Sequence, residues 1–462
     1  MVRGDTIAAV ATAPGRGGVA IVRVSGPDAF EIAKRLTGEN EELKMRNEEW
    51  EGLCPLAFHS SLIDRETVID DGLVLCFKAP RSYTGEDVVE FQCHGGAVTP
   101  RRVLKACFAA GARLARRGEF TQRAFLNGKL DYDQAESVLD LVDAKTDRAA
   151  SAALEGLAGR KARACRELYD RALALSAELE HALDVDEGEL PEEFFSSVNS
   201  QLLTLNSQLV QIIRRAREGR LLRTGALVVL AGPPNAGKSS LMNALLEENR
   251  AIVSDIPGTT RDSIEEWLNL DGWPIRLVDT AGLRDAGDRI EAEGVKRAEE
   301  LIAKADVVVR LGGLGGLEGL GGLEGLEGLG GLGGLGSKEV AIHAKCDLGR
   351  GEGLNVSAKT GEGLDDLKQA IVARLESLTA SGDETSSYDD DCLATLLDVS
   401  AQLSSLIPHP PSLIPHPPSL NLDLVLLANV VRTAAERLGT VIGATYSSDL
   451  LDNLFSRFCV GK

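Results

Sequence analysis

Two short runs of β-branched and small apolar residues, Thr6–Ala11 and Val19–Val24, flank the turn cluster Pro14-Gly15-Arg16-Gly17-Gly18. This reads as two strands joined by a glycine loop. Strand patterns recur at Leu73–Phe77 and Val88–Gln92, and a helical stretch covers Arg101–Ala110. The first 120 or so residues therefore predict a small mixed α/β domain. From Leu130 the apolar period lengthens from two to about 3.6, and Leu202, Leu205, Leu209, Ile212 and Ile213 share one helical face. That helical region runs to about Arg223. At Ala226 the buried-strand run ALVVLAG begins, strands and helices alternate to about Leu378, and helical character returns from Cys392. Alternation of this kind is the habit of a parallel α/β sheet. Its position within helical sequence predicts that the sheet domain is inserted into a helical host.

Two segments break the pattern. Leu311–Gly336 consists of L-G-G and L-E-G triplets, and SLIPHPP occurs twice between Ser405 and Pro418. Neither period matches a stacking repeat. The glycine tract offers little contiguous apolar surface against the backbone entropy it would lose, so a surface loop is expected there.

Length and charge narrow the picture. A chain of 462 residues has room for about three domains. Its net charge of −20 argues against nucleic-acid binding by a general basic surface, so any RNA contact must be local or borrowed from a partner. The 8 cysteines are scattered singly without metal or framework spacing, as in a reducing compartment. No signal pattern or uninterrupted apolar run of membrane length occurs, and a cytoplasmic chain with no membrane partner is expected.

The strongest chemical signal is Gly232-Pro-Pro-Asn-Ala-Gly237-Lys238-Ser239, a complete G-x-x-x-x-G-K-S between the strand at Ala226–Leu230 and a helix beginning near Ser240. Its backbone N–H groups suit phosphate oxygens, Lys238 reaches the β and γ phosphates, and the Ser239 hydroxyl suits magnesium. Gly258-Thr259-Thr260-Arg261-Asp262 and Asp279-Thr280-Ala281-Gly282 follow in the order a GTPase requires. Thr260 can bind magnesium when a γ-phosphate is present, and the Gly282 amide can sense that phosphate. Base choice falls to Ala344-Lys345-Cys346-Asp347, because a single carboxylate accepts both N1–H and the exocyclic amine of guanine. Alanine stands where N-K-x-D has asparagine, removing side-chain hydrogen bonds that brace the loop. Ser357-Ala358-Lys359 resembles the last guanine-side loop. Leu283 occupies the place where Ras-like enzymes carry a water-orienting glutamine, so the hydrolytic group must come from elsewhere.

The segments DTIAAVATAPGRGGVAIVRVSG, YTGEDVVEFQCHGG, GEFTQRAFLNGKLDYDQAE, GPPNAGKSS, IPGTTRD, DTAGLRDAGD and the terminal FCVGK together resemble the MnmE family over nearly the whole chain. The resemblance implies a folate-binding, dimerising α/β domain at 1–128. It implies a discontinuous all-α domain at 129–222 and 381–462, and an inserted Ras-like P-loop GTPase domain at 223–380 with a low-complexity loop at 311–336. It extends the nucleotide site over Asn235, Ala236, Gly237, Lys238, Ser239 and Ser240, then Ser254, Asp255, Ile256, Pro257, Gly258, Thr259 and Thr260. The site continues with Asp279–Gly282, including Thr280 and Ala281, then Lys345, Asp347, Ser357, Ala358 and Lys359. The implied potassium ligand is Asn235, with Ser254, Ile256 and Thr259 around it, and Glu291 positions the water. Arg23, Glu90, Lys129 and Lys462 are implied for a tetrahydrofolate derivative, and Cys459 for the modification chemistry. The implied activity is a potassium-stimulated, magnesium-dependent GTPase acting as a homodimer. With the flavoprotein MnmG, which carries FAD and uses NADH, it forms a heterotetramer that modifies carbon 5 of the tRNA wobble uridine. On that reading tRNA is held largely through the partner. The alternatives are a ribosome-assembly GTPase, or a folate-binding scaffold whose GTPase has decayed.

Overall fold

The computed structural model describes residues 4–38, 55–184, 190–249, 265–279, 299–312, 338–351, 353–379, 390–406, 424–441 and 455–461. Two compact units emerge, one of 1–139 with 445–462 and the other of 140–444.

In the first unit, β1 (Ile7–Val10), β2 (Val19–Ser25), β3 (Leu56–Asp64), β4 (Thr67–Phe77), β5 (Val88–His94) and β6 (Arg113–Leu114) form one sheet in the order β3-β4-β5-β2-β1-β6. All pairings are antiparallel except β1 with β6. Helices α1 (Ala29–Thr37) and α2 (Thr99–Ala109) contribute Ile32, Leu36, Val103 and Cys107 to a core shared with Val22, Val24, Val74 and Phe91. The strand patterns read in the sequence mark β1, β2, the end of β4 and β5. The hairpin of β3 with the first half of β4 was not anticipated, because Asp64, Asp70 and Asp71 and the half-exposed face of a sheet-edge pair dilute the apolar signal.

Helix α3 (Glu119–Leu126) anchors an ionic frame in this unit. Glu119, 2% exposed, accepts from Nη1 and Nη2 of Arg113 at 2.9 and 2.5 Å, and from the Arg116 N–H at 2.8 Å. Arg123 donates to Asp5 Oδ1 at 2.8 Å, to Glu86 Oε2 at 3.0 Å and to Glu119 Oε1 at 3.3 Å. Arg113 also pairs with Asp5. Glu86 accepts in turn from Ser25 Oγ at 2.8 Å, while Asn127 Nδ2 donates to the Thr84 carbonyl at 2.7 Å. The frame thus pins the loop carrying Tyr83, Thr84 and Glu86. Burial pushes the Glu119 carboxyl up, but the hydrogen bonds from Arg113, Arg116 and Arg123 outweigh it and hold it at about 2.

The second unit opens with the end of α4 (Tyr132–Asp143), then α5 (Asp147–Leu157), α6 (Arg160–Leu183) and α7 (Glu192–Thr224), the last spanning about 50 Å. Thr146 caps α5 by accepting from the Ala149 N–H. After α7 come β7 (Ala226–Ala231), α8 (Lys238–Asn249), β8 (Glu265–Leu270), β9 (Trp273–Asp279), β10 (Val307–Gly312), β11 (Glu339–Ala344), β12 (Leu354–Val356) and α9 (Leu364–Leu378). Helices α10 (Asp390–Leu406) and α11 (Leu424–Val441) follow. The strand order is β12-β11-β10-β7-β9-β8, parallel except for β8. β7 is buried at every position, which is why it reads as an unbroken apolar run.

Leu168, Leu175, Leu205, Leu209, Leu396, Val399, Val431 and Leu438 knit α6, α7, α10 and α11 into one core, so helices on either side of the sheet in sequence share a bundle. The last turn of α7 instead sends Leu221 and Leu222 into the sheet core, beside Ala149 and Ala152 of α5. Arg148 stacks 4.0 Å above the fully buried Trp273 ring and donates to Glu218 at 2.5 Å. Contrary to the expectation of a loop from Leu311, Leu311 and Gly312 complete β10, and Leu311 is fully buried. Pairing with β11 recruits them despite their composition. Residues 313–337 and the SLIPHPP duplication, apart from Ser405 and Leu406 at the end of α10, lie outside the described residues.

Candidate functional site

Parallel strands bring several loops to one edge of the second sheet. Leu230 of β7 is level with Asp279 of β9, and Ala344 of β11 with Val356 of β12, so the carboxyl ends of these strands lie along one edge, where the segments after Leu230, Ala344 and Val356 leave the sheet. Ligands of open α/β sheets sit at such an edge, beside a strand whose neighbours lead away in opposite directions. β7 is that strand here.

The loop from Gly232 to Gly237 turns β7 into α8. A Cβ on Gly232 would lie 2.8 Å from the Leu311 carbonyl oxygen, and Gly237 holds φ at 98°, so both positions require glycine. Asn235 adopts φ 62° without being glycine. Lys238, only 5% exposed, curls back so that Nζ donates to the Gly232 and Pro233 carbonyls, each at 2.9 Å. The helix expected near Ser240 begins at Lys238, which puts Ser239 and the exposed Ser240 in its first turn. Ala236 is buried beneath the loop.

Ser239 Oγ donates to Asp279 Oδ2 at 2.5 Å across 40 residues of sequence. A hydroxyl and a carboxylate are hard oxygen donors of the kind magnesium takes, with substrate phosphates and water completing its shell. This donor pair fits the ion, although no cluster of three or more acidic, His or Cys ligands exists among the described residues.

The loop after β11 reaches the Gly232–Gly237 loop. Lys345, the second non-glycine residue here with positive φ (61°), donates from Nζ to the Asn235 carbonyl at 2.7 Å. Asp347 is exposed and its Oδ1 accepts from Ser357 Oγ at 2.8 Å, while Ser357 itself is fully buried. The Cys346 N–H meets the Val356 carbonyl at 3.3 Å, Ala344 is 8% exposed within the sheet core, and Ala358 and Lys359 continue the loop outward. Left-handed φ at Asn235 and Lys345 costs on the order of 1–3 kcal/mol each, and both strained residues meet at this one contact. The Lys345–Asn235 brace was not read from the sequence, since nothing in either motif states that the two loops touch.

A second cluster lies in the first unit. Arg23 and Glu90 face one another across β2 and β5, with Nε 2.7 Å from Oε1. The Arg23 guanidinium lies 5.6 Å from the Tyr83 ring centre and 5.7 Å from that of Phe120. Lys129 is exposed and reaches the Pro80 carbonyl at 3.1 Å, on the same loop that carries Tyr83. Tyr83 and Phe120 were missed, although both lie inside the segments YTGEDVVEFQCHGG and GEFTQRAFLNGK. Cys459 is exposed rather than buried, between the Phe458 carbonyl, which accepts from Arg117 Nε at 2.9 Å, and the Val460–Arg117 bridge. Burial raises the Cys93 thiol to about 11 and Cys107 to about 12, so these two are inert by comparison. Ser254, Asp255, Ile256, Pro257, Gly258, Thr259, Thr260, Thr280, Ala281, Gly282, Glu291 and Lys462 fall outside the described residues.

Comparison with known proteins bears on both units. Residues 6–129 match the model of the GTP-binding protein TrmE N-terminus, and residues 133–459 match the model of the MnmE helical domain. A protein from Heliobacterium modesticaldum named tRNA modification GTPase MnmE is 39% identical over 99% of this chain and 100% of its own length. This chain belongs to the MnmE family. An MnmE relative from Symbiobacterium thermophilum, named in the same way, is 41% identical over 99% of both chains. Among solved structures, the FeoB G-domain from Methanococcus jannaschii aligns with 33% of this chain and 98% of its own length, at 23% identity and a TM-score of 0.24. The MnmE helical match runs unbroken across the sheet of β7–β12, whose strands lie between α7 and α10 in the chain. No helix among the described residues is long and apolar enough to cross a membrane.

Proposed function

We propose that this chain hydrolyses GTP and that the hydrolysis serves modification of tRNA, as the names of its MnmE relatives state for them. The observation that carries the reading is the convergence of Lys238, the Ser239–Asp279 pair and the Lys345–Asp347–Ser357 loop at one sheet edge. Those groups divide the work as a nucleoside triphosphate needs. The phosphate loop and Lys238 bind the β and γ phosphates, Ser239 with Asp279 orients the magnesium-bound end, and Asp347, held by Ser357, accepts from the guanine edge. Magnesium would be held by Ser239, by Thr260 and through Asp279, supplying charge neutralisation at the phosphates. Potassium, held by Asn235 with Ser254, Ile256 and Thr259, would add positive charge between the β and γ phosphates. Glu291 orients the attacking water in this reading. The brace from Lys345 to Asn235 supports a working pocket despite Ala344, and counts against a decayed one.

The finer reading follows the family: a homodimer, an inserted GTPase domain in a discontinuous helical domain, and a flavoprotein partner of the MnmG kind. A folate derivative would lie near Arg23, Glu90, Lys129 and Lys462, with Cys459 close to the chemistry. Arg23 and the lysines suit a glutamyl carboxylate, and the half-buried Tyr83 offers a ring beside Arg23, with the fully buried Phe120 packed behind the guanidinium. GTP turnover measured in potassium and then in sodium tests the central claim. A large rate advantage in potassium is expected, and turnover indifferent to the cation overturns it.

A further inference from the structure

The outward face of α7 near its C-terminal end carries Arg214, Arg217 and Arg220 at intervals of three residues, so neighbouring side chains lie one above the next. Among these, Arg220 has a carboxylate, donating from Nη2 to Asp306 Oδ1 at 2.5 Å. The other oxygen of Asp306 is engaged by the Leu227 N–H at 2.9 Å. Glu218, the acidic residue within this turn, points away to Arg148 and is 1% exposed. Arg217 is half-buried yet makes no hydrogen bond or ion pair with any described residue, and neither does the exposed Arg214. Burial, then the charges of Arg220 and Arg214, push the Arg217 guanidinium below its ordinary range. The chain beside Asp306 adds the exposed Lys304, and Lys338, whose Nζ donates to the Ala305 carbonyl at 3.2 Å.

Among the described residues only Arg220 of the three has a carboxylate, so the guanidinium groups repel one another, and a partly desolvated guanidinium whose donors no described residue takes needs an anion. On a chain of net charge −20, such a patch is a local exception of the kind an RNA contact requires. Planar, two-pronged donors suit phosphodiester oxygens, and all three groups in the row are arginines rather than lysines.

We infer that Arg214 and Arg217, alongside Arg220, form a contact for the phosphodiester backbone of tRNA on α7. This rests on the tRNA reading made above and adds to it a place on this chain itself. Contacts of this type seat an RNA without reading its bases, so affinity and salt dependence should respond while sequence preference does not.

The test uses the full chain and an unmodified tRNA transcript, with fluorescence anisotropy at 50 and then 200 mM salt, about the range over which phosphate contacts weaken. Arg217→Gln should weaken binding about 3- to 10-fold at the lower salt, and adding Arg214→Gln should deepen the loss. The salt slope should fall by about one for each arginine removed. Arg171→Gln, at an exposed arginine on α6, should change neither quantity. Arg217→Gln should also keep GTP turnover and leave the thermal midpoint unchanged or raised, because it relieves repulsion and breaks no pair. Equal affinity and slope in variant and parent would overturn the inference, as would an equal loss in Arg171→Gln. Loss of polyglutamate binding with tRNA binding intact would overturn it in favour of an acidic protein partner. A chain that turns over GTP but binds no tRNA at the lower salt overturns it and leaves the GTPase reading standing, whereas tRNA binding without GTP turnover overturns only the latter.

Discussion

Lys238 and Arg123 are both shielded cations, and their partners set them apart. Lys238 Nζ donates to two neutral carbonyl oxygens of its own loop, and Arg123 donates to the carboxylates of Asp5, Glu86 and Glu119. A phosphate oxygen offers a lysine more than a carbonyl does, so Lys238 can exchange its partners for a ligand. No incoming anion improves on three carboxylates, so Arg123 is committed to the fold. The contacts at the edge of β7 can be exchanged for a ligand, and those of the frame around α3 are built to last.

The largest effect that sharpens this contrast comes from Lys238→Ala. GTP turnover should fall on the order of 10³-fold, as when a charge-stabilising donor is lost, while the urea midpoint of unfolding barely moves. A variant that unfolds easily instead would place Lys238 with the committed cations.

Glu119→Gln should do the reverse, and its sign follows from the depressed folded-state value of about 2 against an ordinary 4.5. A carboxyl held down by folding stabilises the native state above its unfolded value, and loses that contribution as pH falls from 4.5 toward 2. The loss at neutral pH should be on the order of 3 kcal/mol. Urea unfolding at pH 7 and then near pH 3 checks it: the difference between variant and parent should shrink in acid. GTP turnover should be untouched under conditions where both are folded.

The same contrast explains what could be read in the chain beforehand. The phosphate loop was legible because its chemistry is contiguous: glycines at 232 and 237, a lysine and a serine within eight positions after an apolar strand. The frame was not, because Asp5, Glu86, Arg113, Glu119 and Arg123 are ordinary surface types until the sheet order brings them together. Arg23 and Glu90 are 67 residues apart and meet only through the register of β2 on β5. The Lys345–Asn235 brace likewise needs β11 two strands from β7. Periodicity placed the helices well, since α7 buries one face along its length, but it lost β3, where the polar run His59, Ser60 and Ser61 interrupts the apolar positions on both faces.

Base recognition lies between these extremes, and Asp347→Asn probes it. The substituted amide still accepts through one oxygen but presents N–H where guanine also donates, so GTP affinity should fall on the order of 10²-fold. Xanthosine triphosphate, whose extra carbonyl accepts that N–H, should gain. Ser357 keeps the new side chain in place because it is buried and its hydroxyl is already directed at Oδ1. Unchanged guanine preference in a competition assay would remove Asp347 from the base pocket.

The smallest expected effect belongs to Ala344→Asn, which supplies the amide that N-K-x-D has and that the loop proposed to read guanine lacks. Such a brace contributes about 0.5–1.5 kcal/mol where a loop is otherwise loose. Here the loop is already tied by Lys345 to Asn235, by Ser357 to Asp347 and by the Cys346 N–H to Val356. Little freedom remains for the amide to remove, so GTP should bind only about 2- to 5-fold more tightly, near the low end of that range. Breaking the existing tie first should enlarge the gain: in a Lys345→Met background the same substitution should recover more affinity than it adds to the parent. Calorimetric titration of the two single variants and the double variant decides this. Equal gains in both backgrounds would mean that the two braces act on separate parts of the loop. Weaker binding in Ala344→Asn would mean that the sheet core, where Ala344 is 8% exposed, has closed around alanine and cannot admit the larger side chain.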